Sequence, residues 1–214
     1  NSPWMEKRFP DWRKDLNRTL TEKVADALAT DRSRIVRRFS AVEEHYWAGW
    51  YFGTIRDLLS PAKTAIITEF GAQALPRLST LKTIIPPDML WPKTTAADDP
   101  GWTRWKYHNF QPFQTFKFAN IPRGKNVQEM IANTQAYQAQ LVATAAESYR
   151  RQRYQPVTAL FHFMFVETWP SINWGVVDYL RKPKAGYYAL QKAYQPLLPS
   201  IEPVTAQWQP GQPA

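Results

Sequence analysis

Three segments of the chain carry apolar residues at the spacing of an amphipathic helix. They span residues 11–29, residues 127–153 and residues 184–198. Because side chains three and four positions apart share one side of a helix, each segment is expected to pack one face against a core. The apolar faces of the first two segments consist of Leu16, Leu20, Val24 and Leu28, and of Met130, Ile131, Thr134, Tyr137, Leu141, Val142, Ala145 and Tyr149.

Shorter apolar runs between these segments predict β-strands. The run TAIIT at residues 64–68 is rich in β-branched residues, and RIVRRFSA at residues 34–41 is a further short candidate. The nearly continuous run PVTALFHFMFV at residues 156–166 is typical of a strand covered on both faces. A further strand is a candidate within the aromatic stretch at residues 43–50. Between these strands, TIRDLLS at residues 54–60 predicts a short helix. Alternating strands and helices favour βα units with parallel strands.

Two segments lack any periodic pattern. Residues 77–126 contain many Pro and aromatic residues, and an irregular segment of that length in a compact domain is typical of a functional loop or lid. Residues 201–214 are rich in Pro and have the character of a linker. We therefore expect one folded domain over residues 1–200 and a tail or linker over residues 201–214.

The positive charge raises the possibility of a nucleic-acid partner. The 214 residues include 27 Lys and Arg against 18 Asp and Glu, a formal net charge of +9. The basic residues are spread along the chain, and their densest cluster, SYRRQRY at residues 148–154, lies at the end of a predicted helix, where cations complement the helix dipole. Because the charge is dispersed in this way, we expect no nucleic-acid partner. The rival hypothesis of a nucleic-acid binder predicts an affinity that falls steeply with salt.

Several classes of site are not indicated by the composition. There is no Cys, so neither a disulfide framework nor a thiolate metal site is expected. The three His residues, His45, His108 and His162, lack the spacing of a metal site, and the sequence has no glycine-rich phosphate-binding motif. No apolar run approaches the roughly 20 residues of a membrane-spanning helix. We expect no metal, no cofactor and no membrane span, and the composition does not indicate a compartment.

One predicted strand ends on a charge. In TAIITEFGAQALP, residues 64–76, the apolar run leads directly into Glu69. Burying a carboxylate costs free energy unless the group has a partner or stays in contact with solvent. A structural role as a loop cap or an ion-pair partner is one explanation for Glu69, and a catalytic role is the other.

Four segments of the chain share a recognisable order and spacing. They are EHYWAGWY (44–51), TEFGAQALP (68–76), TQAYQAQLVATAAESYRRQRY (134–154) and FMFVETWPSINWGVVDYLRKPKAGYY (163–188). Together they resemble glycoside hydrolase family 2, which includes β-mannosidases, β-galactosidases and β-glucuronidases, and the resemblance covers most of residues 11–198. The nucleophile segment of the family ends a strand on Ser/Thr-Glu-Phe-Gly, and its last strand is followed by Trp-Pro, Ser-Trp, Asp-Tyr and Pro-Lys elements.

The resemblance implies an α/β fold, namely the C-terminal half of a (β/α)8 TIM barrel with strands 5–8 present. The N-terminal half of the barrel and its sandwich domains would then be partners, on the same chain or on a separate one. Four parallel strands leave two unpaired edges, which need covering. The isolated chain is therefore expected to be poorly soluble or oligomeric.

The resemblance also implies a retaining exo-β-glycosidase with Glu69 as its nucleophile and a β-linked saccharide as its substrate. A retaining mechanism needs a second carboxylate that protonates the leaving oxygen. The acid/base Glu of the family follows an Asn, and the chain opens with Asn1-Ser2-Pro3. Either the acid lies upstream of this chain, or it is lost at Ser2 and the protein is a catalytically inactive saccharide-binding or scaffold relative. Glu43 and Glu44 remain a fallback source of a carboxylate.

Substrate-binding residues are expected around this nucleophile. The resemblance places His45 and Tyr46 beside the sugar pocket, although both can simply pack within an aromatic loop. The rings of Trp47, Trp50, Trp169 and Trp174 can stack on a sugar or fill a core. The remaining polar candidates are His108 and Asn109, which could instead satisfy loop backbone, and Glu167, which could instead form a salt bridge to a loop Arg.

Overall fold

The computed structural model describes residues 14–34, 36, 38 and 44–201. The predicted strand at residues 34–41 lies mostly outside them. None of the helices in this part of the chain is long and apolar enough to cross a membrane. The helices are α1 (Lys14–Leu28), α2 (Leu78–Leu81), α3 (Thr103–Tyr107), α4 (Val127–Arg151) and α5 (Ala185–Ala193), the strands are β1 (Ile66–Ile67) and β2 (Ala159–Leu160), and short 3₁₀ or π turns cover Ile55–Leu59, Pro87–Met89, Pro100–Trp102 and Phe113–Phe118.

Neighbouring parallel segments organise the fold. Strands β1 and β2 pair in parallel, with Ile66 opposite Ala159, and the pairing continues where the Phe163 N–H donates to the Phe70 carbonyl at 3.0 Å. On the other side of β1, residues 44–46 also run parallel, because the Tyr46 N–H donates to the Glu69 carbonyl at 2.8 Å. The connections between these segments are helical. The prediction of βα units with parallel strands is therefore confirmed for this part of the chain.

Helix α4 lies between β1 and β2 in the chain and packs against α5 and the turn Ile55–Leu59. Its N-terminus is capped by Asn126, whose side chain accepts a hydrogen bond from the Glu129 N–H at 2.9 Å. The predicted apolar face is confirmed by the complete burial of Met130, Leu141 and other members of the set. Helix α5, also predicted, packs along α4.

The basic cluster at the end of α4 has an internal structural role. Arg150 donates to the carbonyl of Ala193 at the end of α5, and its second terminal nitrogen lies 3.5 Å from the Pro196 carbonyl. Arg151 donates to the Ser200 hydroxyl at 2.5 Å. These contacts hold the segment after α5 against α4.

The long segment at residues 77–126 is more ordered than its sequence suggests. The segment was predicted to be an irregular loop, but it contains several short helical turns. These turns pack around a hydrophobic cluster that includes Leu81, Trp102 and Trp105. Trp102 and Trp105 are fully buried, and their indole N–H groups donate to the carbonyls of Thr94 and Met89 at 3.0 and 2.9 Å. Prolines interrupt helical periodicity here, so only tertiary packing shows that the segment folds.

The apolar run at residues 156–166 differs from its prediction. Only Ala159–Leu160 forms a strand, and Phe161 and Phe165 are 57% and 64% exposed. The expectation of cover on both faces is therefore wrong within the described residues.

Helix α1 shows a similar departure, because the described part of its predicted apolar face is not buried; the side chain of Leu16 lies outside the described part. Leu20, Val24 and Leu28 are at least half exposed, whereas Ala25 is buried. Amphipathic periodicity indicates which face can be buried, but a neighbouring element must be present to bury it.

His162 follows β2 and gives the fold a predicted pH dependence. Its Nε2 atom is buried and has no hydrogen-bond partner among the described residues. Burial, followed by the nearby charge of Lys184, lowers the pKa of His162 to about 3 from its ordinary value of 6.5. The unfolded chain gains a proton near pH 6.5 while the folded chain resists it, so stability is highest above pH 6.5 and falls as the pH drops toward 3.

We expect the free energy of unfolding to fall by about 2 kcal/mol between pH 7 and pH 5, measured by urea denaturation at each pH. His162→Phe retains a ring against Phe70 and removes the titrating group, so most of this dependence should disappear in that variant. An equal slope in the variant and the parent protein would contradict the assignment.

Candidate active site

Glu69 lies directly after β1, at the carboxyl end of the strand. Its Oε2 accepts a hydrogen bond from the Trp47 indole N–H at 3.2 Å, and its Oε1 lies 3.7 Å from His45 Nε2. The Glu69 side chain is 29% exposed. The carboxylate is thus positioned by two neighbouring side chains and remains accessible to solvent.

The segment at residues 44–48 explains this arrangement. It runs alongside the end of β1, and its alternate residues point to the same side. His45 and Trp47 therefore both face the Glu69 carboxylate. Tyr46 points elsewhere, because its hydroxyl donates to the Asp57 carbonyl at 3.3 Å. Tyr46 approaches Glu69 through its backbone.

The Gly that follows Phe70 allows the close approach of two chain segments here. A Cβ added at Gly71 would lie 2.6 Å from the Phe163 carbonyl oxygen, a distance that real Cβ atoms do not reach. Only Gly fits without moving the backbone next to Glu69. The Gly of the Glu-Phe-Gly sequence is thus explained by the close approach of the Phe163 backbone.

Aromatic rings surround the hydrogen bond between Trp47 and Glu69. The Trp47 ring meets the rings of Tyr51, Phe163 and Trp174 edge-on, at centroid distances of 5.4 to 5.5 Å. Burial raises the pKa of Tyr51, and the charge of Glu69 contributes in the same direction, so the phenol stays neutral. Such apolar surroundings strengthen electrostatic interactions with the carboxylate.

Trp50 does not present a face to this site. It is fully buried, and its indole N–H donates to Gln111 Oε1 at 3.1 Å. The structure therefore places Trp50 in the core, where it anchors the aromatic segment, instead of on an exposed platform for a sugar.

Trp169, His108 and Asn109 meet in a second cluster. Trp169 is 41% exposed, and its ring stacks on that of His108 with the centroids 5.8 Å apart. His108 is buried, and its Nδ1 hydrogen bonds with the Pro170 carbonyl at 2.6 Å. The Asn109 amide donates to the side-chain oxygen of Asn173. His108 and Asn109 thus support the loop, whereas Trp169 presents a ring to solvent.

The two clusters are connected through consecutive residues. Asn173 contacts Asn109, and the next residue, Trp174, packs against Trp47 beside Glu69. The structure therefore groups Glu69 with His45, and Trp169 with His108, on one continuous framework.

Glu167 is held inside the protein by an ion pair. Its Oε1 lies 3.0 Å from Lys184 Nζ, and both side chains are almost completely buried. The same oxygen accepts hydrogen bonds from the backbone N–H groups of Asn173 and Gly175 at 3.1 and 3.0 Å. Burial lowers the pKa of Lys184, and the charge of Glu167 opposes this effect. The carboxylate expected to contact a sugar or an Arg thus pairs with a Lys in the interior.

No further carboxylate is found beside Glu69 among the described residues. Ser2 and Glu43 lie outside them. Glu44 is buried, and its backbone carbonyl accepts hydrogen bonds from the N–H groups of Thr68 and Glu69. Within the described part of the chain, no group of three or more His, Asp or Glu side chains could hold a metal ion.

Two contacts around the site do not follow from the sequence expectations. The hydrogen bond from Trp47 to Glu69 is one of them, although the position of Trp47 two residues after His45 in an extended segment indicates that the two side chains share a face. The pairing of Lys184 with Glu167 has no local signal, because 17 residues separate the two.

Comparisons with known proteins support the class of fold. No family model matches the chain. It is 24% identical over 176 residues to "Beta-mannosidase B" of Aspergillus niger, covering 77% of this chain and 20% of that protein. It is 26% identical over 165 residues to "Beta-mannosidase B" of Emericella nidulans, covering 72% and 18%. The chain spans about a fifth of the length of these curated relatives.

Solved structures show the same partial correspondence. The β-D-mannosidase of Dictyoglomus thermophilum aligns with a TM-score of 0.57 and 21% identity, over 70% of this chain and 18% of that one. A complex of an Amycolatopsis orientalis exo-chitosanase aligns with a TM-score of 0.50 and 19% identity, over 72% of this chain and 19% of that one. The described mixture of helices and parallel strands thus shares its fold with part of these glycoside hydrolases.

Lys184→Met tests the structural role of the buried ion pair. The substitution leaves the Glu167 carboxylate buried without its partner, and we expect a loss of about 3–5 kcal/mol in the free energy of unfolding, measured by urea denaturation. Lys192→Met, at an exposed position of α5, is the matched control and should change stability by less than about 0.5 kcal/mol. Equal effects of the two substitutions would show that the ion pair does not hold the fold.

Proposed function

We propose that this chain contributes strands 5–8 to the (β/α)8 catalytic barrel of a retaining exo-β-glycosidase of glycoside hydrolase family 2, with β-mannosidase-like activity. The observation that carries the proposal is Glu69, a partly exposed carboxylate at the carboxyl end of a parallel strand. In barrels of this kind, active sites lie at that end of the strands. The similarity to proteins named β-mannosidase supports the same class of reaction.

In the proposed reaction, Glu69 attacks the anomeric carbon and forms a covalent glycosyl-enzyme intermediate. A second carboxylic acid, about 5–5.5 Å from the first, protonates the leaving oxygen and then activates the water that releases the sugar. The Trp47 N–H fixes the orientation of the nucleophile, and His45 lies beside its other oxygen. The acid/base residue of this reaction belongs to the strand-4 motif of the family, for which the described residues offer no candidate.

The proposed substrate contacts divide into direct and supporting residues. His45 and Trp169 contact the saccharide, because both have exposed surface near the carboxyl ends of the strands. Tyr46, His108 and Asn109 hold the loops that position them. The proposed catalytic domain spans residues 1–200, followed by a Pro-rich tail or linker over residues 201–214.

A second function is favoured by the Asn1-Ser2-Pro3 sequence. If Ser2 occupies the acid/base position, the hydroxyl cannot act as an acid near neutral pH. The protein would then bind saccharides, or act as a scaffold, without hydrolysing them. The partly exposed side chains of Glu69 and Trp169 suit either function, so only a test for hydrolysis separates the two.

The proposed partner is the N-terminal half of the barrel, with its sandwich domains, on the same or a separate chain. An open groove of about 410 Å³ lies between β2 and α5. Its walls are mostly apolar and include Phe161 and Phe165, which are largely exposed. An exposed apolar surface next to a strand edge is a site of association.

Covalent labelling tests the nucleophile. The probe is a 2-deoxy-2-fluoro-β-mannoside with a dinitrophenyl leaving group. Because dinitrophenolate departs without acid assistance, the fluorinated sugar should remain attached to Glu69 in the complete enzyme, and peptide mass spectrometry detects this label. Glu69→Gln should abolish labelling and lower kcat by several orders of magnitude, whereas Glu147→Gln on α4 should preserve both.

Labelling of another residue would overturn the role of Glu69. No labelling of the complete enzyme would favour the saccharide-binding function over hydrolysis.

Sedimentation velocity tests the uncovered edge. The isolated chain should self-associate, because the groove next to β2 exposes large aromatic side chains. The double substitution Phe161→Lys and Phe165→Lys should shift the chain toward monomer, and Phe113→Lys, at a 51% exposed site on the long loop, should not. A monodisperse monomer of the unsubstituted chain would contradict the proposal of a missing barrel half.

A further inference from the structure

An amide side chain of the long loop reaches the aromatic residues beside Glu69. Gln111 Oε1 lies 3.1 Å from the indole nitrogen of Trp50, and Gln111 Nε2 lies 3.0 Å from the hydroxyl oxygen of Tyr51. We infer that Gln111 is a positioning residue for Glu69, which acts by directing the phenol hydrogen of Tyr51 toward that carboxylate. The inference rests on the proposed function and extends it to a residue of the long loop.

Gln111 is held in place through its backbone by the segment that follows Glu69. The side chain that holds it belongs to Gln73, which is buried. Gln73 Oε1 accepts a hydrogen bond from the Gln111 N–H at 2.9 Å, and Gln73 Nε2 donates to the Asn109 carbonyl at 2.8 Å. One amide thus holds both sides of the turn at residues 109–111. The position from which Gln111 reaches the aromatic residues is therefore fixed relative to the end of β1.

The chemistry of Trp50 decides which way the Gln111 amide faces. An indole N–H can only donate, so the amide atom that faces Trp50 is the oxygen. The amide nitrogen is then the atom nearer to the Tyr51 hydroxyl, at 3.0 Å against 3.2 Å for the oxygen. Because an amide nitrogen can only donate, the phenol oxygen is the acceptor in this bond. The phenol hydrogen is therefore free to turn toward another group.

The charge of Glu69 acts on this phenol. Burial raises the pKa of Tyr51, and the charge of Glu69 raises it further. The Tyr51 ring also meets the ring of Trp47, whose indole N–H donates to the Glu69 carboxylate. Hydroxyl dipoles orient in the field of nearby charges. With its oxygen engaged by Gln111, the phenol thus turns its hydrogen toward the negative charge of Glu69.

The direction of the phenol hydrogen matters when a covalently bound sugar leaves Glu69. In that step an incoming nucleophile forms a bond to the anomeric carbon. The bond between that carbon and the Glu69 oxygen breaks, and its electron pair remains on the oxygen as a carboxylate. A phenol hydrogen directed toward this oxygen stabilises the negative charge as it develops.

Gln111→Glu should reverse the arrangement, because an ionised carboxylate can only accept hydrogen bonds. The substitution keeps the size of the side chain and retains an acceptor for the Trp50 N–H. The Tyr51 phenol, however, must then donate to the new carboxylate, which turns its hydrogen away from Glu69. Tyr51→Phe removes the same hydrogen and retains the ring against Trp47.

Release of a trapped sugar tests the inference in the complete enzyme. The parent protein and the variants are first labelled with the dinitrophenyl 2-deoxy-2-fluoro-β-mannoside. Azide, an anion with no proton to lose, needs no general base and releases the sugar as a glycosyl azide. Gln111→Glu and Tyr51→Phe should each slow this release about three- to tenfold, followed by mass spectrometry of the intact protein. Release at the parental rate in either variant would contradict the inference.

The double variant separates the direction of the hydrogen from the added charge. In the Tyr51→Phe background, Gln111→Glu should change the release rate by less than about twofold, because the hydrogen that it would redirect is absent. A further loss of the full size would show that the new charge or a moved loop causes the effect. Gln114→Glu adds the same charge to the turn Phe113–Phe118 and is the matched control. It should release the sugar at the parental rate, and equal slowing there would also reject the inference.

Failure of the proposed function would give a different result. Labelling of the parent protein with unchanged release in the variants would reject the role of Gln111 alone. An unlabelled parent protein would reject hydrolysis through Glu69, and ¹⁹F NMR of the protein grown with 5-fluorotryptophan then decides the inference.

The signal to follow is that of Trp47, assigned from its loss in Trp47→Phe. It should shift in Gln111→Glu, because the phenol hydrogen beside the indole ring changes direction. It should stay in place when Gln111→Glu is added to Tyr51→Phe. No shift in the first comparison, or an equal shift in both, would overturn the inference.

Discussion

A buried ion pair between Glu167 and Lys184 joins the parts of the chain that build the candidate site. Lys184 Nζ donates both to the Glu167 carboxylate and to the Ala74 carbonyl at 2.8 Å, in the segment after β1. The carboxylate also binds the backbone of the loop that carries Trp174. Separating the two charges would leave each of them buried without a partner, which costs free energy. The pair therefore stabilises the arrangement in which the segment after β1, Glu167 and the loop at residues 173–175 lie together.

Within this frame, Glu69 combines restraint with access. The backbone around it is paired with the segment at residues 44–46, and its carboxylate accepts a hydrogen bond from Trp47. Yet it keeps more than a quarter of its side-chain surface exposed. Glu167, in contrast, is completely enclosed. The two carboxylates thus have different environments, which separates a candidate reactive group from a structural one.

Local patterns predicted the elements that depend mainly on neighbouring residues. The apolar face of α4 recurs within a single helix, so its periodicity was sufficient to find both the helix and its buried side. The same logic was insufficient for α1 and for Phe161 and Phe165, whose apolar side chains are exposed. Periodicity specifies a surface suited to burial, whereas burial itself requires a second element.

The sequence by itself predicted the order of α1, β1, α4, β2 and α5, the carboxylate that follows β1 and the aromatic residues near it, since these follow from short-range spacing. Only the tertiary structure decided which candidates keep exposed side chains. In that structure Trp50 is buried, His108 and Asn109 form hydrogen bonds that hold loops, and Glu167 pairs with Lys184. Such outcomes depend on contacts between residues far apart in the chain, and no local pattern encodes which distant group arrives to satisfy a buried charge or cover a ring.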